Sequence, residues 1–87
     1  MKAKYGNMTV DVWQISKIRS EDAWLKEAFS MDRIYFTATD KPQLYIRGGF
    51  GGTWGEVGDY LIYNPTFPNN YQIISQHKAK KELAFIH

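Results

Sequence analysis

Val57-Gly58-Asp59-Tyr60-Leu61-Ile62-Tyr63 is the stretch that sets the reading of this chain. Gly58-Asp59 is a turn signal, because glycine reaches φ > 0 at no steric cost and aspartate bonds nearby backbone amides. Tyr60 to Tyr63 follow as an aromatic and β-branched run suited to a pleated, half-buried surface. The turn therefore delivers the chain into a central strand.

Working outward, Asn64 to Asn70 form a proline-containing loop and Tyr71 to Ser75 a further strand. Ala79 to Leu83 make one helical turn before a short apolar end at Ala84-Phe85-Ile86. Upstream, Thr53 to Val57 bridge to the central turn. Gly48-Gly49-Phe50-Gly51-Gly52, with four glycines in five residues, favours neither strand nor helix and reads as a loop. Before it lie two strands, Arg33 to Thr39 with Ile34, Phe36 and Ala38 on one face, and Gln43 to Arg47 with Leu44 and Ile46 facing inward. Asp40-Lys41-Pro42 turns between them, so they form a hairpin.

The one clear helix spans about Glu21 to Ser30. Ser20 is its N-cap, and Glu21 and Asp22 sit where the helix dipole favours negative charge. Trp24, Leu25, Ala28 and Phe29 mark one apolar face, and Asp22 and Lys26 are spaced to pair on the other. Thr9 to Ile15 form the first strand, after a polar lead-in over residues 1–8. One strand, one helix and a run of strands predict an α+β domain over residues 1–87, with a single helix packed on an antiparallel or mixed sheet of about five strands.

Eighty-seven residues leave room for one core, and fourteen aromatic residues supply most of it. Each can bury about 150–250 Å². Cysteine is absent, which excludes disulfides, thiolate chemistry and Cys-based zinc sites. No stretch reads as a signal peptide or approaches the roughly 18 apolar residues that span a bilayer, so a cytoplasmic protein without a membrane partner is expected. Acidic and basic side chains balance over residues 1–59. The net charge of +2 arises from Lys78, Lys80, Lys81 and Glu82 near the end, where three lysines either solvate the segment or meet an acidic partner.

Lys4-Tyr5, Val10-Asp11-Val12-Trp13, Trp24-Leu25-Lys26-Glu27, Gly58-Asp59-Tyr60-Leu61-Ile62 and the segment from Tyr71 to Leu83 together form a layout that covers nearly the whole chain. In it the chain resembles a family of small phage and prophage proteins of undefined function. It departs from that pattern at Asn7, near where the family commonly has proline, and in the longer loop from Pro65 to Asn70 of the closing hairpin. The resemblance implies viral origin and a host-cell cytoplasmic setting, and carries no catalytic residues.

Catalytic chemistry is hard to assemble. His77 and His87 are the only histidines, and neither has the orienting carboxylate that a nucleophilic triad needs. Glu56 and Asp59 are close enough in sequence to meet, but Asp59 is better used on turn amides. No metal-ligating cluster is present, and the glycines at 48–52 lack phosphate-loop spacing. No catalytic residues, metal or cofactor are therefore expected.

Binding fits better. Tyr45 and Arg47 fall opposite Leu44 and Ile46, and Phe50 and Trp54 lie in or beside the glycine-rich loop. Aromatics and arginine are enriched in interface hot spots. The expectation is a small non-enzymatic protein that binds a host protein through Tyr45, Arg47, Phe50 and Trp54, as a monomer or homodimer, and inhibits or redirects it sterically. A nuclease or defence complex is the expected target, in an anti-CRISPR or anti-restriction role. The alternative is a nucleic-acid-binding accessory protein in which Arg47 and Phe50 stack bases while Lys78, Lys80 and Lys81 contact phosphates.

Overall fold

The computed structural model describes residues 1–48, 53–67 and 70–86. Its elements are β1 (Lys2–Tyr5), β2 (Met8–Gln14), α1 (Ala23–Ser30), β3 (Ile34–Phe36), β4 (Gln43–Ile46), β5 (Trp54–Glu56), β6 (Tyr60–Tyr63), β7 (Tyr71–Ile74), α2 (Gln76–Glu82) and β8 (Leu83–Ile86). They form a five-stranded sheet in the order β7-β6-β2-β1-β8 and a three-stranded sheet in the order β3-β4-β5. All neighbouring strands run antiparallel.

This corrects the expected architecture: the described residues form two helices and two sheets, not one helix on a single five-stranded sheet. The hairpin of β3 and β4 does not join β2. It pairs with β5, taken from the sequence as a mere bridge, to make a separate sheet. The larger sheet is completed by β1 and β8, read as a polar lead-in and an apolar end. They escape detection for different reasons: β8 is apolar at all four positions and shows no alternation. In β1 only Ala3 is buried while Lys2 and Lys4 are exposed, so a four-residue strand shows almost no apolar alternation. Gly6 (φ +63°) makes the β1–β2 connection possible, with glycine at the first central position as a type II′ turn requires.

The larger sheet is buried on both faces around β2, β6 and β7. One face carries Trp13 and Leu61 and packs with Leu25 and Ala28 of α1 and with Ile34, Leu44 and Ile46 of the smaller sheet. The opposite face carries Val10, Val12, Ile62 and Ile74 and is covered by Ala79 of α2. On that face Tyr60 of β6 and Phe85 of β8 lie 5.8 Å apart between ring centres, although β2 and β1 stand between them. A flat sheet would hold such rings about 14 Å apart at the usual strand spacing. The sheet therefore curls around α2.

The central turn forms as the sequence predicts, with Gly58 at φ +103°. Asp59 does more than close it. Its Oδ2 accepts the Glu56 N–H at 3.0 Å and its Oδ1 accepts the Gln76 N–H at 3.1 Å, so one carboxylate ties β5, β6 and the start of α2 together. Ser75 caps α2 by accepting the Lys78 N–H. At α1 the helix starts at Ala23 with Asp22 at the N-cap, and the Ser20 hydroxyl accepts the Asp22 N–H. Lys26 pairs with Glu21 and not with Asp22, whose carboxylate meets the Met1 ammonium at 2.9 Å.

Candidate protein-binding surface

The smaller sheet has a buried face and an outward one. Ile34, Leu44, Ile46 and Gly55 turn inward, so alternation forces Tyr35, Tyr45 and Trp54 outward. Their register places them side by side: Tyr35 opposite Tyr45, and Tyr45 opposite Trp54. The Ile46 N–H to Thr53 C=O bond makes Tyr45–Trp54 a non-hydrogen-bonded pair, the type in which side chains approach closest.

The three rings form a continuous ladder. Tyr35 and Tyr45 stack with centres 5.8 Å apart and planes 15° apart, and Tyr45 and Trp54 with 6.3 Å and 26°. The Arg47 guanidinium caps it, 5.0 Å from the Tyr35 ring centre. Arg47 is held there by its Nε–H, which donates to the Asp32 C=O at 2.8 Å. Tyr35 is 38% exposed and Trp54 44%. From the middle rung the Tyr45 hydroxyl donates to Gln43 Oε1 at 3.4 Å, and Gln43 stands opposite Glu56. These two residues also wall a groove of about 420 Å³ formed with Lys17, Asp40, Lys41, Pro42 and Val57. The ladder thus runs from Arg47 across Tyr35 and Tyr45 to Trp54, with the groove beside its middle rung.

Three of the four residues expected to bind a protein, Tyr45, Arg47 and Trp54, are brought onto one face. Phe50 lies outside the described residues, as does most of the glycine-rich loop. Tyr35 was missed as a site residue, yet the signal was present: with Ile34 and Phe36 facing inward, the residue between them must face out.

The residues of the nucleic-acid alternative divide between the two sheets. Lys78, Lys80 and Lys81 are exposed on α2, which packs on the larger sheet, whereas Arg47 caps the ladder on the smaller one. Lys78 also pairs with Glu82 at 3.6 Å, and the neighbouring Tyr5 and Glu82 hold its ammonium above the ordinary lysine value. Glu56 and Asp59 do not form a carboxylate pair, since both Asp59 oxygens are bonded to backbone amides. His77 is exposed on α2. Among the described residues no cluster of three or more potential metal ligands occurs, and no helix is long and apolar enough to cross a membrane.

No protein-family model matches the chain, and neither the curated proteins nor the solved structures contain a significant match to it.

Proposed function

We propose that this protein is a non-enzymatic binding module that docks on another protein through the Tyr35–Tyr45–Trp54 ladder and Arg47. The observation that carries the reading is the ladder itself. Three aromatic rings in register across three strands, two of them more than a third exposed, form a rigid amphipathic patch with an arginine fixed at its end. Tyrosine, tryptophan and arginine are enriched among interface hot spots, the two aromatics because they offer large contact area at small conformational cost. The resemblance to phage and prophage proteins supports a host protein as the partner. A nuclease-based defence complex blocked sterically is the form of that reading we favour.

A single-stranded nucleic acid is the second reading, favoured by the same stacked rings and arginine. Against it stands the placement of the lysines on the other sheet, which leaves few cations beside the ladder to neutralise phosphates.

The test is a pull-down from bacterial lysate with tagged wild type, Trp54→Ser/Arg47→Ala and Lys80→Glu/Lys81→Glu, each with and without nuclease. A near-stoichiometric protein that survives nuclease, is lost with the ladder variant and is kept by the lysine variant is the expected result. Capture that disappears with nuclease or with the lysine variant moves the assignment to nucleic acid. Capture that is indifferent to the ladder variant refutes the surface.

A further inference from the structure

The larger sheet ends on β8, and the pairing of its neighbours fixes which backbone groups of that strand face outward. The Val12 N–H donates to the Met1 C=O. Bonded pairs alternate along an antiparallel ladder, so Ala3–Val10 and Tyr5–Met8 are the bonded pairs of β1 and β2. Lys2 and Lys4 therefore turn their backbone groups toward β8, where they face Ile86 and Ala84. It follows that Leu83 and Phe85 point theirs away from β1. The Leu83 N–H is taken by the Ala79 C=O at the end of α2. Among the described residues no strand pairs with the far side of β8, so the Phe85 N–H and C=O are directed at an open edge.

Nothing in the sequence blunts that edge. Proteins usually protect edge strands with charged side chains, proline or a bulge, and Leu83-Ala84-Phe85-Ile86 has no charge and no proline. Ala84 and Ile86 are exposed, Ile86 by 45%.

We propose that β8 pairs antiparallel with β8 of a second copy, about a two-fold axis at Phe85, and joins the two larger sheets into one. The occupant is a second copy because the edge is self-complementary in one register. Pairing Phe85 with its own counterpart satisfies both outward groups of each Phe85 at once. Shifting the axis to Ala84 would instead require the Leu83 N–H, which α2 already uses. In the Phe85 register Ala84 meets Ile86 of the other copy, a small side chain against a large one, and the two Phe85 rings meet on the curled face. The ladder lies on the other sheet, so each dimer presents two docking surfaces, a source of avidity for a multivalent target.

A four-residue strand pair is small against a standard interface of about 1,600 Å², so the association is weak, with a midpoint on the order of 100 µM. Sedimentation equilibrium on the full chain between about 10 µM and about 1 mM spans that midpoint. The mass is expected to rise from 10.1 kDa toward twice that value, and exchange of the Phe85 amide to slow with concentration. Ala84→Lys and Ile86→Lys leave the β1–β8 bonds intact and place gatekeeper charges on the edge. Each is expected to weaken association by about 10-fold or more, the ~1.4 kcal/mol of one decade, with the melting temperature unchanged. A mass that stays at 10.1 kDa throughout, or an association that survives both lysine variants, overturns the proposal. So does an association abolished by Trp54→Ser, which would place the interface on the ladder.

Discussion

Gly55→Ala probes the contact on which the ladder's position depends. Gly55 lies at the centre of β5, where the smaller sheet crosses the larger one. A Cβ there would sit 2.6 Å from Ile73 Cγ2, 3.3 Å from Ile15 Cδ1 and 3.4 Å from Asp59 Oδ2. Carbon atoms prefer about 3.5–4.0 Å, so the first contact is too short by about 1 Å. Ile73 Cγ2 belongs to a β-branched side chain, stiff at χ1, and cannot swing aside as a flexible tip would. Alanine normally gains about 0.4–1 kcal/mol over glycine through the unfolded chain, whereas overpacking costs about 1–3 kcal/mol. The net expectation is a loss of about 1–2 kcal/mol, or a melting temperature lower by roughly 5–15 °C for a domain of this size. Ile73→Ala removes Cγ2 and leaves Ile15 Cδ1 as the closest carbon. In that background Gly55→Ala is expected to cost less than about 0.5 kcal/mol, giving a coupling of about 1 kcal/mol in a double-mutant cycle. Urea denaturation of the four proteins measures it. An equal cost of Gly55→Ala in both backgrounds, or a gain in wild type, would refute the packing of β5 on β7.

Four other outcomes follow from single side chains. Asp59→Ala removes two bonds from a carboxylate to backbone amides and is expected to cost about 2–3 kcal/mol by thermal denaturation, with α2 fraying first in amide exchange. Leu61→Ala, at a side chain with no exposure, is expected to cost about 2–5 kcal/mol. Burial raises the Tyr71 phenol, against the opposing charge of Arg33. The folded state therefore keeps this proton to higher pH than the unfolded chain, which releases it near pH ~10. Its share of stability is complete below that value and is lost as pH climbs above it, and Tyr71→Phe should flatten the alkaline limb of melting temperature against pH. The Met1 ammonium, and then Ser20, hold the Asp22 carboxyl below its ordinary 3.8. Its contribution is present above that value and fades as pH falls through the lower folded one, so Asp22→Asn should flatten the acid limb.

What the sequence made legible follows the strength of its patterns. Tyr60 to Tyr63 and Thr9 to Ile15 combine β-forming residues with burial on both faces, and both lie in strands that sit inside the larger sheet. Trp24, Leu25, Ala28 and Phe29 marked α1 because a helix repeats its apolar face every turn. Short elements carry no such redundancy. Lys2 to Tyr5 places one residue in the core, and Trp54-Gly55-Glu56 places only a glycine there, so neither presents an apolar stripe. The partition into two sheets was hidden for a different reason. It depends on which strands meet over long separations, such as β1 with β8, and local pattern does not encode that choice. Tyr45 and Arg47 were legible because alternation sends them opposite Leu44 and Ile46, and Trp54 because it stands beside the glycine-rich loop. Their stacking was not, since it requires the register of β5 on β4.

The ladder also has a role in holding the smaller sheet together, and the size of that role decides how its variants must be designed. Three strands of three or four residues are short for an independent sheet. Each stacked cross-strand pair adds about 0.5–1.5 kcal/mol, so the two pairs together supply about 1–3 kcal/mol, comparable to the loss expected from Gly55→Ala. Stability alone does not account for the residues chosen. Valine, isoleucine or threonine at Tyr35, Tyr45 and Trp54 would support a strand as well and would present less apolar surface to water. Nor would a purely structural ladder need Arg47 held over its end by the Asp32 carbonyl. The discriminating substitutions therefore keep β propensity and remove the rings. Trp54→Thr with Tyr45→Thr is expected to lower the melting temperature modestly and abolish partner capture at temperatures where the fold is intact. If capture instead tracks the folded fraction across a series of such variants, the ladder serves the sheet and the docking surface lies elsewhere.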